Sequence, residues 1–150
     1  MAERPSPARL CFGCGEANPH GLGMHFQLEG GRATAEFTIQ PQFQGYPGQA
    51  HGGVVATMLD EAMSWAVYAN GAWSMTARLT MRFRAAIPLG EPIAVAGWLV
   101  RDRGRFLELR SELRDRAGTL LAEAEGLFAR VQGKQAEELR LQYEASRAGS

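Results

Sequence analysis

The chain has 150 residues, 45% of them hydrophobic, with 16 basic residues balanced by 16 acidic ones. That length fits one domain burying roughly 70% of the surface of its unfolded chain, and the zero net charge gives no reason to expect nucleic acid or an anionic membrane as partner. No apolar run approaches the ~20 residues that span a bilayer, and Met1 to Leu10 lack the apolar centre of a signal peptide, so the expectation is a cytoplasmic protein whose Cys11 and Cys14 stay reduced.

Residues 1–10 read as a flexible, proline-containing lead-in. Cys11-Phe12-Gly13-Cys14-Gly15 and Asn18-Pro19-His20-Gly21 are dense in turn formers and read as a loop ordered by packing. Met24 to Leu28 alternates in polarity and ends at Glu29-Gly30-Gly31, a hairpin signal. Arg32 to Ile39 alternates again, with Ala33, Ala35, Phe37 and Ile39 on one face. Pro41 to Gly48 is a loop of glycine, proline, glutamine and aromatic residues. His51-Gly52-Gly53 then runs into Val54 to Ala69, a helix apolar nearly all round and so expected to be buried. Asn70-Gly71 closes it.

Four strand-like segments follow: Ser74 to Ala85, Ile93 to Val100, Phe106 to Leu113 and Thr119 to Val131. Gly126 in the last marks a bulge or a close backbone approach. The tail, residues 133–150, is polar and helix-prone, and is expected to fray or to pack on a neighbour. The order ββαββββ with short connections calls for an α+β architecture, an antiparallel sheet of about six strands wrapped around one long buried helix. A sheet covers one side of that helix, and a second subunit is the simplest cover for the other.

Asp60 and Glu61 in so apolar a helix cost free energy unless partners or solvent offset them. At 100° per residue, Thr57, Asp60, Glu61 and Ser64 fall in one sector about 100° wide, the only polar stripe on the helix. Periodicity does not separate Asp60 from Glu61. The helix start has unpaired amides at the positive end of the dipole. Glycine there lets a substrate oxygen approach them, as in a phosphate site or an oxyanion hole. Asp60 lies about 12 Å beyond Gly52 along the axis, too far for both to hold one atom within a subunit. A shared site therefore needs the acid or the helix of a second copy.

Cys11 and Cys14 with His20 and His25 invite a zinc reading. Only five residues separate Cys14 from His20, where zinc fingers use about twelve or more, so no metal is expected and the thiols are assigned to packing and turns. Arg78, Arg82 and Arg84 share one face of their strand. That face is either solvated or a grip for phosphates.

The His51-Gly52-Gly53-Val54 start, Leu59-Asp60-Glu61 and the Met75-Thr76-Ala77-Arg78-Leu79 strand together resemble the hotdog-fold acyl-CoA thioesterases. Within them, the phenylacetate-degradation-type subgroup is the most similar, and its frequent Cys-x-x-Cys-Gly, Asn-Pro-x-Gly-Leu stretch matches Cys11 to Leu22. The resemblance places a hotdog domain over residues 11–132, between the lead-in and the tail. It implies a hydrolase that cleaves the thioester of an aryl- or medium-chain acyl-CoA without metal or cofactor. It also implies a homodimer or a homotetramer (a dimer of dimers) with active sites between subunits.

In such enzymes the amide at Gly52 or Gly53 polarises the carbonyl, and Asp60 of the opposite subunit is general base or nucleophile. Thr76 places the water or the acid, and His51 orients the loop. The polar loop position of some relatives falls to Gln44, to Gln49 or to neither. Phe43, Tyr46, Met58, Met63 and Trp65, with Glu61 and Ser64, are expected to line the substrate pocket, and Arg78 to meet the phosphates of CoA. Two rival readings are a non-catalytic acyl-CoA-binding module and a hotdog dehydratase. The second uses an acid and histidine in another arrangement, which this chain does not show.

Overall fold

The computed structural model describes residues 7–148. Its strands are β1 (Gln27–Glu29), β2 (Arg32–Thr38), β3 (Trp73–Phe83), β4 (Pro92–Asp102), β5 (Phe106–Arg114) and β6 (Leu120–Val131); its helices are α1 (Gly52–Ala69) and α2 (Gly133–Ala148). The strands form one sheet in the order β1-β2-β4-β5-β6-β3, antiparallel at every pairing. The strands and α1 follow the order ββαββββ that the sequence pattern predicts, with α2 added after β6.

Gly30 and Gly31 have φ of 58° and 76°, values that glycine adopts without a Cβ penalty. They turn β1 back on β2, with Leu28 opposite Ala33. The first strand is shorter than its alternation suggests. Met24 donates its N–H to the Gly13 carbonyl at 2.9 Å, so this stretch pairs with the N-terminal loop, and only the last residues join β2.

Helix α1 lies against one face of the sheet on Val54, Val55, Met58, Leu59, Ala62, Met63, Ala66 and Val67. The sheet is built from small residues where the helix passes. Ala33, Ala35, Ala122 and Ala124 are buried there, and a Cβ on Gly97 of β4 would collide with the carbonyl of Ala62. On Gly126 of β6 it would run into the Phe128 ring and the Met63 thioether. Gly126 is thus a close approach, and the irregularity is on the neighbouring strand, where β3 shifts register against β6 between Thr76 and Arg78.

Because backbone meets backbone at Gly97, Gly97→Ala is expected to destabilise the fold by about 1–3 kcal/mol, the usual cost of overpacking. A urea titration reads this as a lower midpoint at unchanged slope; an unchanged midpoint would mean that α1 slides freely on β4.

The chain itself covers much of the second side of α1. Residues 11–24 fold over it, held by Gly15 N–H to Cys11 O and Leu22 N–H to Phe12 O, both at 2.8 Å, and Leu22 and Met24 enter the core. Phe26 stacks on Trp65 with centroids 6.3 Å apart. The tail is the helix α2, whose Tyr143 meets Trp65 at 6.5 Å and Trp73 at 5.4 Å. The 11-residue strand β3 is left at the sheet edge, with Met75 and Phe83 60% and 54% exposed.

Candidate active site

His51 caps α1 from an extended conformation, φ −63° and ψ 136°. Its Nδ1 accepts the Gly53 N–H at 2.9 Å, so the neutral ring carries its proton on Nε2. Its carbonyl accepts from Val54 at 3.0 Å and Val55 at 3.1 Å. His51 N–H donates to Phe43 O at 2.9 Å, which ties the cap to the preceding loop. Of the first helical amides only that of Gly52 then has no acceptor among the described residues. Gly52 is exposed, and the nearest group to a Cβ placed there would be the Phe83 ring at 3.7 Å. An unpaired donor at the positive end of a helix, with no side chain above it, suits a carbonyl or anionic oxygen.

Two turns along, Thr76 Oγ1 donates to Asp60 Oδ1 at 2.7 Å. Thr76 stands on β3 immediately before the register shift. Burial raises the Asp60 carboxyl above its ordinary value, the Thr76 hydrogen bond opposes this, and negative charge at Cys11 adds to the rise. Edge strand β3 runs past α1 with Thr76 at Asp60 and Phe83 at Gly52. The free amide and the acid pair therefore lie along one unpaired edge.

Glu61 turns the other way. Cys11 Sγ lies 3.3 Å from its Oε1, and its Cγ packs where a Cβ of Gly13 would be. Burial, then the negative charge at Cys11, pushes its carboxyl up to about 8. The neighbouring Cys14 thiol pulls Cys11 below the ordinary thiol value and is itself pushed up. The polar stripe of α1 thus divides. Thr57 spends its hydroxyl on the Gly53 carbonyl at 3.0 Å, Asp60 faces β3, and Glu61 faces the N-terminal loop. Ser64 and Trp65 join Glu61, Tyr68 and Tyr143 around a cavity of about 170 Å³. Tyr143 escaped the sequence reading because the tail's weak apolar face gave no sign of where it docks.

In the loop before α1, Gln44 Oε1 accepts the Gly48 N–H at 2.9 Å, so its side chain shapes the loop. Gln49 pairs its backbone with Pro88, Phe43 packs on the core and Tyr46 is 83% exposed. Met58 and Met63 are both 0% exposed, packed in the core between α1 and the sheet. Arg78 borders a surface depression of about 240 Å³ with Thr80, Val100, Glu108 and Arg110. Arg84 pairs with Glu123 at 3.3 Å.

The Thioesterase superfamily model matches residues 47–122, half of the chain. Acyl-coenzyme A thioesterase THEM4 of Bos taurus is 34% identical over 116 residues, covering 74% of this chain and 48% of its own length. The crystal structure of a thioesterase superfamily protein superposes with a TM-score of 0.79 at 29% identity, over 86% of this chain and 68% of that one. A hypothetical thioesterase protein with coenzyme A from Streptococcus pneumoniae superposes with a TM-score of 0.69 at 16% identity, over 72% of this chain and 88% of that one. The last is a likeness of fold. The chain spans about half the length of the curated relatives it matches.

Proposed function

Since the chain belongs to the thioesterase superfamily, we propose that it hydrolyses acyl-CoA thioesters, with aryl or medium-chain acyl groups as the expected class. One observation carries this reading: the unpaired Gly52 amide and the Asp60–Thr76 pair lie along the same exposed edge strand. A long unpaired edge is a template for another strand. Two copies pairing through antiparallel β3 strands about Leu79 and Thr80 set Thr76 of one opposite Phe83 of the other. That symmetric contact brings the acid of one copy to the helix start of its partner.

In this arrangement the thioester oxygen accepts the Gly52 N–H of one subunit. Asp60 of the partner subunit, oriented by Thr76, takes a proton from the water that attacks the carbonyl carbon. The oxyanion forms against the amide, which is worth most at that moment. Collapse breaks the carbon–sulfur bond, and the CoA sulfur leaves with a proton. Attack by Asp60 itself, through an anhydride that water then opens, uses the same two groups. The raised Asp60 carboxyl suits a base more than an ordinary aspartate does. Glu61, already bonded to Cys11, is the less available acid. Phe43 and Tyr46 in the loop beside His51 offer contacts for the acyl group, and Arg78 offers one for a CoA phosphate.

The name of the cattle relative and the coenzyme A of the streptococcal structure support the choice of substrate. The test is release of free thiol from a panel of aryl-, short- and long-chain acyl-CoAs. Turnover, strongest with aryl or medium chains, is the expected result. Saturable binding of acyl-CoA without thiol release would replace this reading with a non-catalytic binding module.

A further inference from the structure

We propose that Cys11, Cys14 and Glu61 form a binding site for a thiophilic divalent cation, zinc in the first instance, that fastens the N-terminal loop to the middle of α1. The two sulfurs and a Glu61 oxygen lie within 4.8 Å of one another. Zinc bond lengths of about 2.0–2.3 Å put neighbouring ligands of a tetrahedron roughly 3.3–3.8 Å apart. The Cys11–Glu61 pair already has that spacing at 3.3 Å, and the Cys14 sulfur lies within 4.8 Å of both. Two thiolates with one carboxylate form a donor set that zinc takes and that magnesium or calcium does not.

The surroundings are those of a ligand site. The loop closes through Gly15 N–H to Cys11 O at 2.8 Å, and a Cβ on Gly15 would strike the backbone of Arg9 and Cys11. This tight turn presents both thiols from one loop. A missing side chain at Gly13 lets the Glu61 carboxylate reach the thiols. Among the described residues that carboxylate meets the Cys11 sulfur and forms no ion pair with a basic side chain. A half-buried acid without a cation is costly, and a divalent ion bound there, on release of the ligand protons to solvent, removes the cost. The neighbouring cavity, bordered by Cys14, Glu61 and Tyr143, gives a fourth ligand such as water its way in. His20 and His25, the partners that spacing suggested, are not among the clustered groups; the third ligand comes from α1.

The experiment is a cobalt(II) titration of the full chain, stripped with a chelator and held under a phosphine reductant. It is followed by displacement with zinc against a chromophoric chelator. The expected result is one equivalent bound per chain, with sulfur-to-cobalt charge-transfer absorption and the strong visible bands of tetrahedral cobalt, both erased by zinc. Zinc is also expected to raise the unfolding midpoint, since binding free energy adds to folding. Cys14→Ser and Glu61→Gln should each weaken zinc by more than the 10–100-fold that outer-shell changes cost, while His20→Ala leaves affinity unchanged. No sulfur-to-cobalt absorption in the reduced wild-type chain overturns the proposal, whatever the variants do. Zinc affinity equal in wild type, Cys14→Ser and Glu61→Gln overturns it as well. None of these readouts uses hydrolysis, so the site stands or falls apart from the thioesterase reading.

Discussion

Asp60→Asn is expected to lower kcat for acyl-CoA hydrolysis by about 10²–10⁴-fold, the range that a positioned general base supplies. Asparagine has the shape of the acid and still accepts the hydrogen bond that Thr76 gives at 2.7 Å in the native chain. It neither takes a proton from water nor attacks the carbonyl, so both the general-base and the anhydride routes stop. Since the change removes a group that acts in the transition state, kcat and kcat/KM should fall together. Thiol release under saturating acyl-CoA, with the unfolding midpoint as control, measures this. Equal rates in wild type and variant would take Asp60 out of the chemistry and bring Glu61 forward.

The second large effect is expected from Gly52→Pro. Position 52 is the first residue of α1, where proline fits because the amide it lacks has no helical partner. His51, at ψ 136°, already has the conformation that a following proline demands, and Phe83 stands clear at 3.7 Å from the Cβ position. The substitution therefore deletes one N–H and little else. Losing an oxyanion donor costs about 10²–10³ in kcat, and that is the expected loss, with the unfolding midpoint close to wild type. Full activity in a folded Gly52→Pro variant would mean that another donor holds the oxyanion.

Helix α1 was legible because Val54 to Ala69 is apolar nearly all round and is bracketed by Gly52-Gly53 and Asn70-Gly71. The strands were legible because glycines mark their turns. The errors have local causes. Met24 alternates like a strand residue, but its partner is Gly13 in a loop, and no period in the chain announces that pairing. Gly126 is the close approach it signalled, against Phe128 and Met63, while the register shift lies between Thr76 and Arg78 of β3, across from Phe128 and Leu127. The angular period of α1 gives each residue's direction without saying where the sheet will be, so the burial of Met58 and Met63 beneath it was not readable.

The candidate site divides in the same way. The residue types at His51, Gly52, Asp60 and Thr76 were readable, but the choice between Gly52 and Gly53 was not. It depends on the His51 ring turning its Nδ1 to the Gly53 amide. Asp60 and Glu61 are neighbours on one stripe; periodicity does not separate them, the resemblance favours Asp60, and in the structure residues 11–24 engage Glu61. For the same reason the partner of Cys11 and Cys14 was hidden. Spacing rules search nearby histidines, and the acid beside the thiols is Glu61, on the helix.

The most direct test of a site shared by two copies is to co-express Asp60→Asn and Gly52→Pro chains with different tags and to isolate the mixed dimer. By two-fold symmetry, one of its sites has both the native amide and the native acid, and the other has neither. Thiol release at about half the wild-type rate per dimer, from two parents that are each nearly inactive, is the predicted result. A mixed dimer as inactive as its parents would contradict the assignment of the Gly52 amide and the Asp60 acid to opposite subunits.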